Sequence, residues 1–338
     1  MERRQLGGTG IELSVIGLGT WVFGGRWGGA DDEASRAACH AAIDGGVNWI
    51  DTADIYGQGR AERIVGQVLR ERRDEVVVAT KGGVAWAFEP ELRIWREARA
   101  DYLKMACERS LEALGIDTID IYQVHWPVPG VDAEETMGAM EDLLREGKIR
   151  AIGVSNYGAD DLRAAAAAGA LHAYQAGYHL FRRDIEAAEL PWCAEHAVGV
   201  LAYGPLAHGL FTGKMSASTT FAANDWRAQS ELFTDDAFPD RVAAVGELQA
   251  VARDSGRAGG VAELAVAWVL RRPEVTSAII GARDARQARA NVALAARPLA
   301  PDEERAIDEI LARHPAAGRH YGHGEPPARP PGSESVSE

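Results

Sequence analysis

The sequence predicts an α/β fold, a (β/α)8 barrel, on three observations. Eight short apolar runs rich in β-branched residues recur between residues 15 and 282. An amphipathic stretch trails each run, and many of these stretches stop at glycine. A doubly wound parallel sheet is the alternative that the same alternation allows.

Taken in order, residues 5–13 read as a hairpin, with QL and IEL flanking Gly7-Gly8-Thr9-Gly10. A strand at 15–19 leads to a helix at 32–44, opened by an Asp cap and stopped by Gly45-Gly46. Strand 49–53 precedes helix 60–70, and strand 76–81 precedes helix 96–114, ended by Gly115. Strand 119–125 pairs with helix 133–145, stopped at Gly147, and strand 149–155 with helix 160–168, stopped at Gly169. The five alanines 164–168 need only helix propensity. Strand 173–178 has a short helix at 190–196. After strand 198–203 comes a long connection, 207–239, and connections of that length are more often functional than accidental. Helices 240–254 and 261–271, strand 277–282, and helices 285–295 and 302–313 complete one domain, 1–314. The Pro- and Ser-rich tail, 315–338, is expected to be disordered, and its His320/His323 spacing reads as solvated chain, not a metal site.

With 338 residues, 46 % hydrophobic and 25 % charged, the composition is globular and excludes collagen, coiled coil and wholesale disorder. Thirty-six basic against 50 acidic residues give a formal charge of −14, so nucleic acid and anionic membrane are not expected partners. An anionic ligand needs a local basic site. Cys39, Cys107 and Cys193 show no metal-type spacing and read as buried thiols. The start, MERRQLGGTGIELS, lacks the apolar core of a signal peptide, and no apolar run reaches the ~18 residues of a membrane span, which predicts a soluble cytoplasmic protein. Only four basic residues are lysines, Lys81, Lys104, Lys148 and Lys214. A lysine kept against such a bias is a candidate for chemistry that arginine cannot do.

The familiar short motifs fail. GLGTWVFGG invites a dinucleotide fingerprint, but the third glycine position holds Val22. No HExxH, GxSxG or GxxxxGK[ST] occurs, so zinc hydrolysis, a serine elbow and P-loop chemistry lose support. Position supplies what motif does not. In a parallel barrel the chemistry sits at the C-terminal strand ends. Three consecutive strands there end in Asp51, Lys81 and His125, with Tyr56 five residues beyond the carboxylate. Singly, Asp51 could cap a turn, Tyr56 could pack and His125 could be a satisfied core histidine. Together on one barrel face they read as a site.

These segments resemble the aldo-keto reductases over residues 3 to about 312. The matching stretches are GLGTW at 17–21, WIDTADIYG at 49–57, ATKGG at 79–83, VHWP at 124–127 and IGVSNY at 152–157. YQAGYHLFRR at 174–183, LAYGPLAHGLFTGK at 201–214 and IIGARDARQARAN at 279–291 follow in order. The resemblance implies carbonyl reduction with NADPH and a tetrad of Asp51, Tyr56, Lys81 and His125. Chemistry agrees, because a carbonyl that receives hydride becomes an alkoxide and needs a proton donor in place. Tyrosine's usual pKa of ~10 is high for that work, and a neighbouring Lys81 ammonium is expected to lower it.

For the cofactor, the resemblance implies Thr20, Trp21 and Asp51 at the first two strand ends, and Ser155, Asn156 and Gln175 at the carboxamide. Tyr203 would stack on the nicotinamide, and Gly204 stands where the family often has Ser. Pro205, Leu206, Gly209, Lys214 and Arg227 match positions folding over the pyrophosphate. Gly281, with exposed amides beside it, and Arg283 suit the 2′-phosphate, while Gln287 and Asn291 match adenine contacts. Ala290 replaces the usual Glu there. Trp21, Trp86 and Trp126 are expected to border the substrate pocket, with Phe88 and Trp95 as further candidates. Keto-sugars, small aldehydes and biosynthetic carbonyls all fit, and monomer and homo-oligomer stay open. The competing reading is a cofactor-sensing module like the potassium-channel β subunits of the same fold; those lack the tetrad histidine, which this chain has at His125.

Overall fold

The computed structural model describes residues 1–29, 31–88, 91–321 and 325–328. A hairpin of β1 (Arg3–Gln5) and β2 (Glu12–Ser14) leads into the first barrel strand, β3 (Ile16–Gly19). Helix α1 (Asp32–Asp44), β4 (Trp49–Asp51), α2 (Arg60–Arg72) and β5 (Val77–Gly82) follow. A second antiparallel hairpin, β6 (Val84–Phe88) and β7 (Leu92–Arg96), interrupts the alternation before α3 (Ala100–Leu114). Next come β8 (Ile119–Val124), α4 (Ala133–Arg145), β9 (Ile149–Ser155), α5 (Ala159–Ala168), β10 (Ala173–Gly177) and α6 (Glu189–Glu195). The chain finishes with β11 (Gly199–Tyr203), α7 (Glu231–Thr234), α8 (Phe238–Asp254), α9 (Gly260–Leu270), β12 (Val275–Gly281), α10 (Ala285–Val292) and α11 (Pro301–Arg313). The eight strands β3, β4, β5, β8, β9, β10, β11 and β12 close a parallel barrel in sequence order, β12 pairing β3.

Strand periodicity explains both the core and the site. Trp49, Ala79, Ile121, Ala173 and Leu201 point inward and fill the barrel. Two residues further along each strand the same face carries Asp51, Lys81, Gln123, Gln175 and Tyr203. The lower layer is apolar and the upper layer is chemistry. Leu6, Ile11 and Leu13 of the first hairpin join the lower layer and plug the N-terminal end. Trp49 spans that layer, its indole N–H donating to Ser14 O at 3.1 Å and Ser277 Oγ at 3.0 Å. The larger core lies between barrel and helices.

Two expectations need correction. The third helix starts at Ala100, not at 96, because Leu92–Arg96 pairs as β7 with β6 (Val84–Phe88) over the strand ends. The tail is also not detached where it is described. Ala317 and Tyr321 are buried, and the fully buried Arg241 guanidinium donates to Ala317 O and Arg319 O. Further on, Arg96 N–H donates to Pro327 O at 2.9 Å and the Arg96 guanidinium pairs with Glu325. Apolar burial at Tyr321 and these backbone bonds outweigh the Pro-rich composition. His323 and residues 329–338 lie outside the described residues.

Candidate active site

The upper ring of the barrel begins with Lys81, whose ammonium is completely buried. It donates to both Asp51 carboxylate oxygens at 2.9 and 2.8 Å and to Thr52 O at 2.8 Å. Tyr56 Oη lies 3.5 Å from the same nitrogen. Asp51 Oδ1 accepts a further bond from Gln175 Nε2 at 2.8 Å, which fixes the carboxylate from the opposite side of the barrel. The turn that carries Tyr56 is pinned to the strands, since Asp54 N–H donates to Lys81 O and Tyr56 N–H to Ala53 O. His125 faces Tyr56 edge-on, ring centroids 5.9 Å apart, and its Nδ1 is buried without a partner among the described residues.

Burial sets the electrostatics. It pulls the Lys81 ammonium below its usual range, and the adjacent Asp51 carboxylate opposes that shift most strongly. Burial pushes the Tyr56 phenol well above its ordinary value, with the Asp51 charge adding to it. The expected lowering of Tyr56 by Lys81 is therefore not found in the protein alone: desolvation of the phenolate wins. Burial, aided by Lys81, holds His125 well below the usual histidine range, so its imidazole is neutral at pH 7. The arrangement offers a protonated phenol, a cation beside it and a neutral imidazole opposite, all at one cavity.

That cavity has a volume of about 1290 Å³ and runs from the strand ends across Tyr203 to α10. It exceeds the ~300–1000 Å³ of an ordinary small-ligand pocket, so there is room for a dinucleotide with a small second molecule. Asp51, Tyr56 and His125 line one end, and Gly281, Arg283, Gln287, Ala290 and Asn291 the other. Trp21, Ser155, Asn156, Gln175, Tyr203, Gly204, Pro205, Leu206, Gly209, Lys214 and Arg227 line the stretch between. Trp126 borders the end near Tyr56, with Val84, Leu92 and Ile94 of the hairpin. Lys81 sits behind this surface, as does Thr20, whose amide donates to Asp51 O.

Trp86, Phe88 and Trp95 do not line the cavity. Trp95 stands opposite Ala85 and packs with Tyr102 and Ala106 on the far side of the hairpin. Trp86 shares the hairpin face of Val84 and Ile94 but is not part of the cavity wall, and Phe88 is 66 % exposed. Several expected donors are also already engaged. Asn156, at φ +62°, accepts from Tyr203 Oη at 2.8 Å and donates to His125 O at 3.0 Å. Arg227 is paired with Asp225 at 2.6 Å, whereas Lys214 has no carboxylate within ion-pair distance among the described residues. The Arg283 amide donates to Gln287 Oε1, and Asp284 caps the Gln287 amide, so the guanidiniums rather than these amides are what α10 offers an anion. Gly204 has φ +68°, a backbone value that explains glycine where a side chain would be strained.

The structure adds residues that the sequence did not single out. Arg182 donates to Tyr203 Oη at 3.0 Å and lies against that ring, fixing its orientation. It passes where a side chain on Gly177 would stand, so any larger residue there would displace the guanidinium. His208 packs among Trp21, Trp27 and Trp226, and burial brings its pKa down to about 3. This aromatic cluster joins the loop after β3 to the long loop after β11 across the cavity. Arg286 lines the cavity beside Arg283. Its signal was present, one helical turn along an Arg-rich segment.

A closed parallel barrel with a buried Asp–Lys pair, an adjacent tyrosine and a long cleft defines an oxidoreductase-type site. Residues 15–312 match the model of the Aldo/keto reductase family. The aldo-keto reductase YhdN of Bacillus subtilis is 40 % identical, covering 92 % of this chain and 94 % of its own. An NADH-specific methylglyoxal reductase of Escherichia coli is 34 % identical, covering 87 % and 93 %. Among solved structures, a glycerol dehydrogenase of Gluconobacter oxydans superposes with a TM-score of 0.85 at 38 % identity, covering 92 % and 95 %. An aldo/keto reductase of Klebsiella pneumoniae in complex with NADP and acetate gives 0.69 at 32 %, covering 91 % and 94 %. The chain belongs to the Aldo/keto reductase family and is an oxidoreductase acting on carbonyl and alcohol groups.

Proposed function

We propose that this chain reduces a short aldehyde or ketone to the alcohol, reversibly, with NADPH. The observation that carries the proposal is the buried Lys81 Nζ, held by both Asp51 oxygens and 3.5 Å from Tyr56 Oη at the cavity end. When bound, the nicotinamide supplies hydride to the carbonyl carbon. Tyr56 donates the proton to the carbonyl oxygen, and its high pKa keeps it protonated until charge develops there. Lys81 then stabilises the phenolate, and Asp51 with Gln175 keeps the ammonium in place. Neutral His125 donates a hydrogen bond that orients the substrate oxygen.

Tyr203, oriented by Arg182, offers the stacking surface, and Lys214, with no carboxylate beside it among the described residues, suits the pyrophosphate. Arg283 at the far end offers a cation, with Arg286, 3.8 Å from Asp284, beside it, which favours the 2′-phosphate of NADPH over NADH. The named relatives split on this point, one being NADH-specific and one holding NADP. Relatives named for methylglyoxal and glycerol, and a reacting end bounded by Trp126, Val84 and Ile94, favour a small carbonyl compound over a bulky one.

Fluorescence titration with NADPH and NADH in low-phosphate buffer, followed by methylglyoxal, glyceraldehyde and a wider carbonyl panel, tests the reading. Tight NADPH binding with turnover supports it. Tight binding with no turnover on any carbonyl would replace it with a cofactor-sensing module. Binding of neither nucleotide would refute the cofactor assignment.

A further inference from the structure

Arg182 stands outside the cavity wall, yet a chain of hydrogen bonds joins it to the reacting end. A tight turn follows β10, in which His179 N–H donates to Arg182 O at 3.2 Å and Arg182 N–H to His179 O at 2.8 Å. The turn folds the Arg182 side chain back over Gly177. Gly177 is in register with Tyr203 of β11, and both belong to the inward face of the barrel. The slot that a side chain at 177 would fill holds the guanidinium instead. From there Nη1 donates to Tyr203 Oη at 3.0 Å, the one side-chain hydrogen bond that Arg182 makes among the described residues. Its nearest carboxylate, Asp184, is 3.8 Å away, and the Arg182 side chain is 13 % exposed.

The chain has a direction. A guanidinium can only donate, so Tyr203 Oη accepts from it and sends its own proton to Asn156 Oδ1, 2.8 Å away. Asn156 Nδ2 then donates to His125 O at 3.0 Å and to Ser155 Oγ at 3.1 Å. A carbonyl can only accept, so the His125 end enforces the same direction. Both hydrogens of the Asn156 amide are committed in this way. Ser155 Oγ is held as their acceptor, and its own proton is left for an acceptor in the cavity that Ser155 lines.

We propose that Arg182 is a positioning residue for the nicotinamide. It fixes the plane of Tyr203 and, through Tyr203 and Asn156, aims the Ser155 proton at the carboxamide oxygen. Gly177 is part of the same device, because its missing side chain is what admits the guanidinium. The proposal rests on the cofactor reading given above. Its consequence is that Arg182→Met and Gly177→Ala, on different residues, remove the same contact. The alanine methyl would meet only the far end of a flexible side chain, so Gly177→Ala displaces the guanidinium while the fold is kept.

Calorimetric titration of the full chain with NADPH, and with 2′-phospho-ADP-ribose, which lacks the nicotinamide, tests this. Each variant should bind NADPH roughly tenfold more weakly, the order expected when one charge-assisted hydrogen bond is lost. The fragment should bind each variant within about twofold of the wild type. The double variant should be no weaker than either single one, since the contact can be lost only once. NADPH affinity within about twofold of the wild type in both variants overturns the proposal. So does an equal loss for the fragment, which would mark general damage, or losses that multiply in the double variant. If Arg182→Met does not fold, Gly177→Ala with the two ligands still decides. A wild type that binds no NADPH overturns the cofactor reading and this proposal with it, whereas a wild type that binds it and variants that match it overturn this one alone.

Discussion

Replacing Lys81 by Met tests the site at its most informative atom, because methionine nearly preserves the side-chain volume and deletes the charge. The ammonium lies 3.5 Å from Tyr56 Oη in a fully buried position. Two opposite unit charges at that separation interact by about 5 kcal/mol at an effective dielectric of ~20. That is the stabilisation withdrawn from a developing phenolate, and it corresponds to between three and four orders of magnitude in rate, as an upper bound. Nucleotide affinity should change less than about threefold, since Lys81 lies behind the cavity wall rather than in it. The folded state should lose roughly 3–5 kcal/mol, because Asp51 keeps only the Gln175 donor for its buried carboxylate. Single-turnover absorbance with saturating NADPH and a reactive aldehyde, alongside urea denaturation, measures all three. Retention of more than about a tenth of the wild-type rate in a folded, nucleotide-binding variant would refute the role given to Lys81.

Tyr56→Phe should lower turnover by about 10²–10⁴ while leaving nucleotide affinity nearly intact, as steady-state rates and fluorescence titration would show. Lys81→Arg should also fail despite keeping the charge, because a larger guanidinium must enter a filled site bounded by Asp51 and Thr52 O; wild-type-like rates would count against the geometry. Arg283→Ala should weaken NADPH by roughly tenfold or more and leave NADH within about twofold, so equal losses for both would remove its link to the 2′-phosphate. Away from the site, Arg257 and the main chain hold Glu303 down to about 2. A carboxylate depressed on folding adds stability that is present above its unfolded pKa of ~4.3 and is lost as pH falls through the folded value. Glu303→Gln should therefore lower Tm at pH 7 and make little difference near pH 2.

Much of this protein was readable from local sequence. The period-2 pattern of each strand places Trp49 and Asp51, Ala79 and Lys81, or Leu201 and Tyr203 on one face, so barrel packing and strand-end chemistry follow from alternation alone. A glycine stop and an Asp cap locate α1 for equally local reasons, Asp31 accepting from the Ala34 amide. The pairing of β6 with β7 was not legible, because two short apolar runs so close in sequence resemble the lead-in to a helix until the barrel rim gives them somewhere to lie.

Charge state and alignment needed the tertiary structure. Sequence put Lys81 near Tyr56, but only burial decides that desolvation outweighs the cation and keeps the phenol protonated. The resemblance matched Arg227 to a position over the pyrophosphate, and folding pairs it with Asp225. It offered no reason to choose Arg182, which reaches Tyr203 across a glycine. Nor did it show that the tail would reach the rim, where Glu325 meets Arg96. Pattern along the chain fixes which face a residue occupies, since that depends on backbone geometry. What a polar group is worth there depends on how much water the rest of the fold removes and which distant partner arrives.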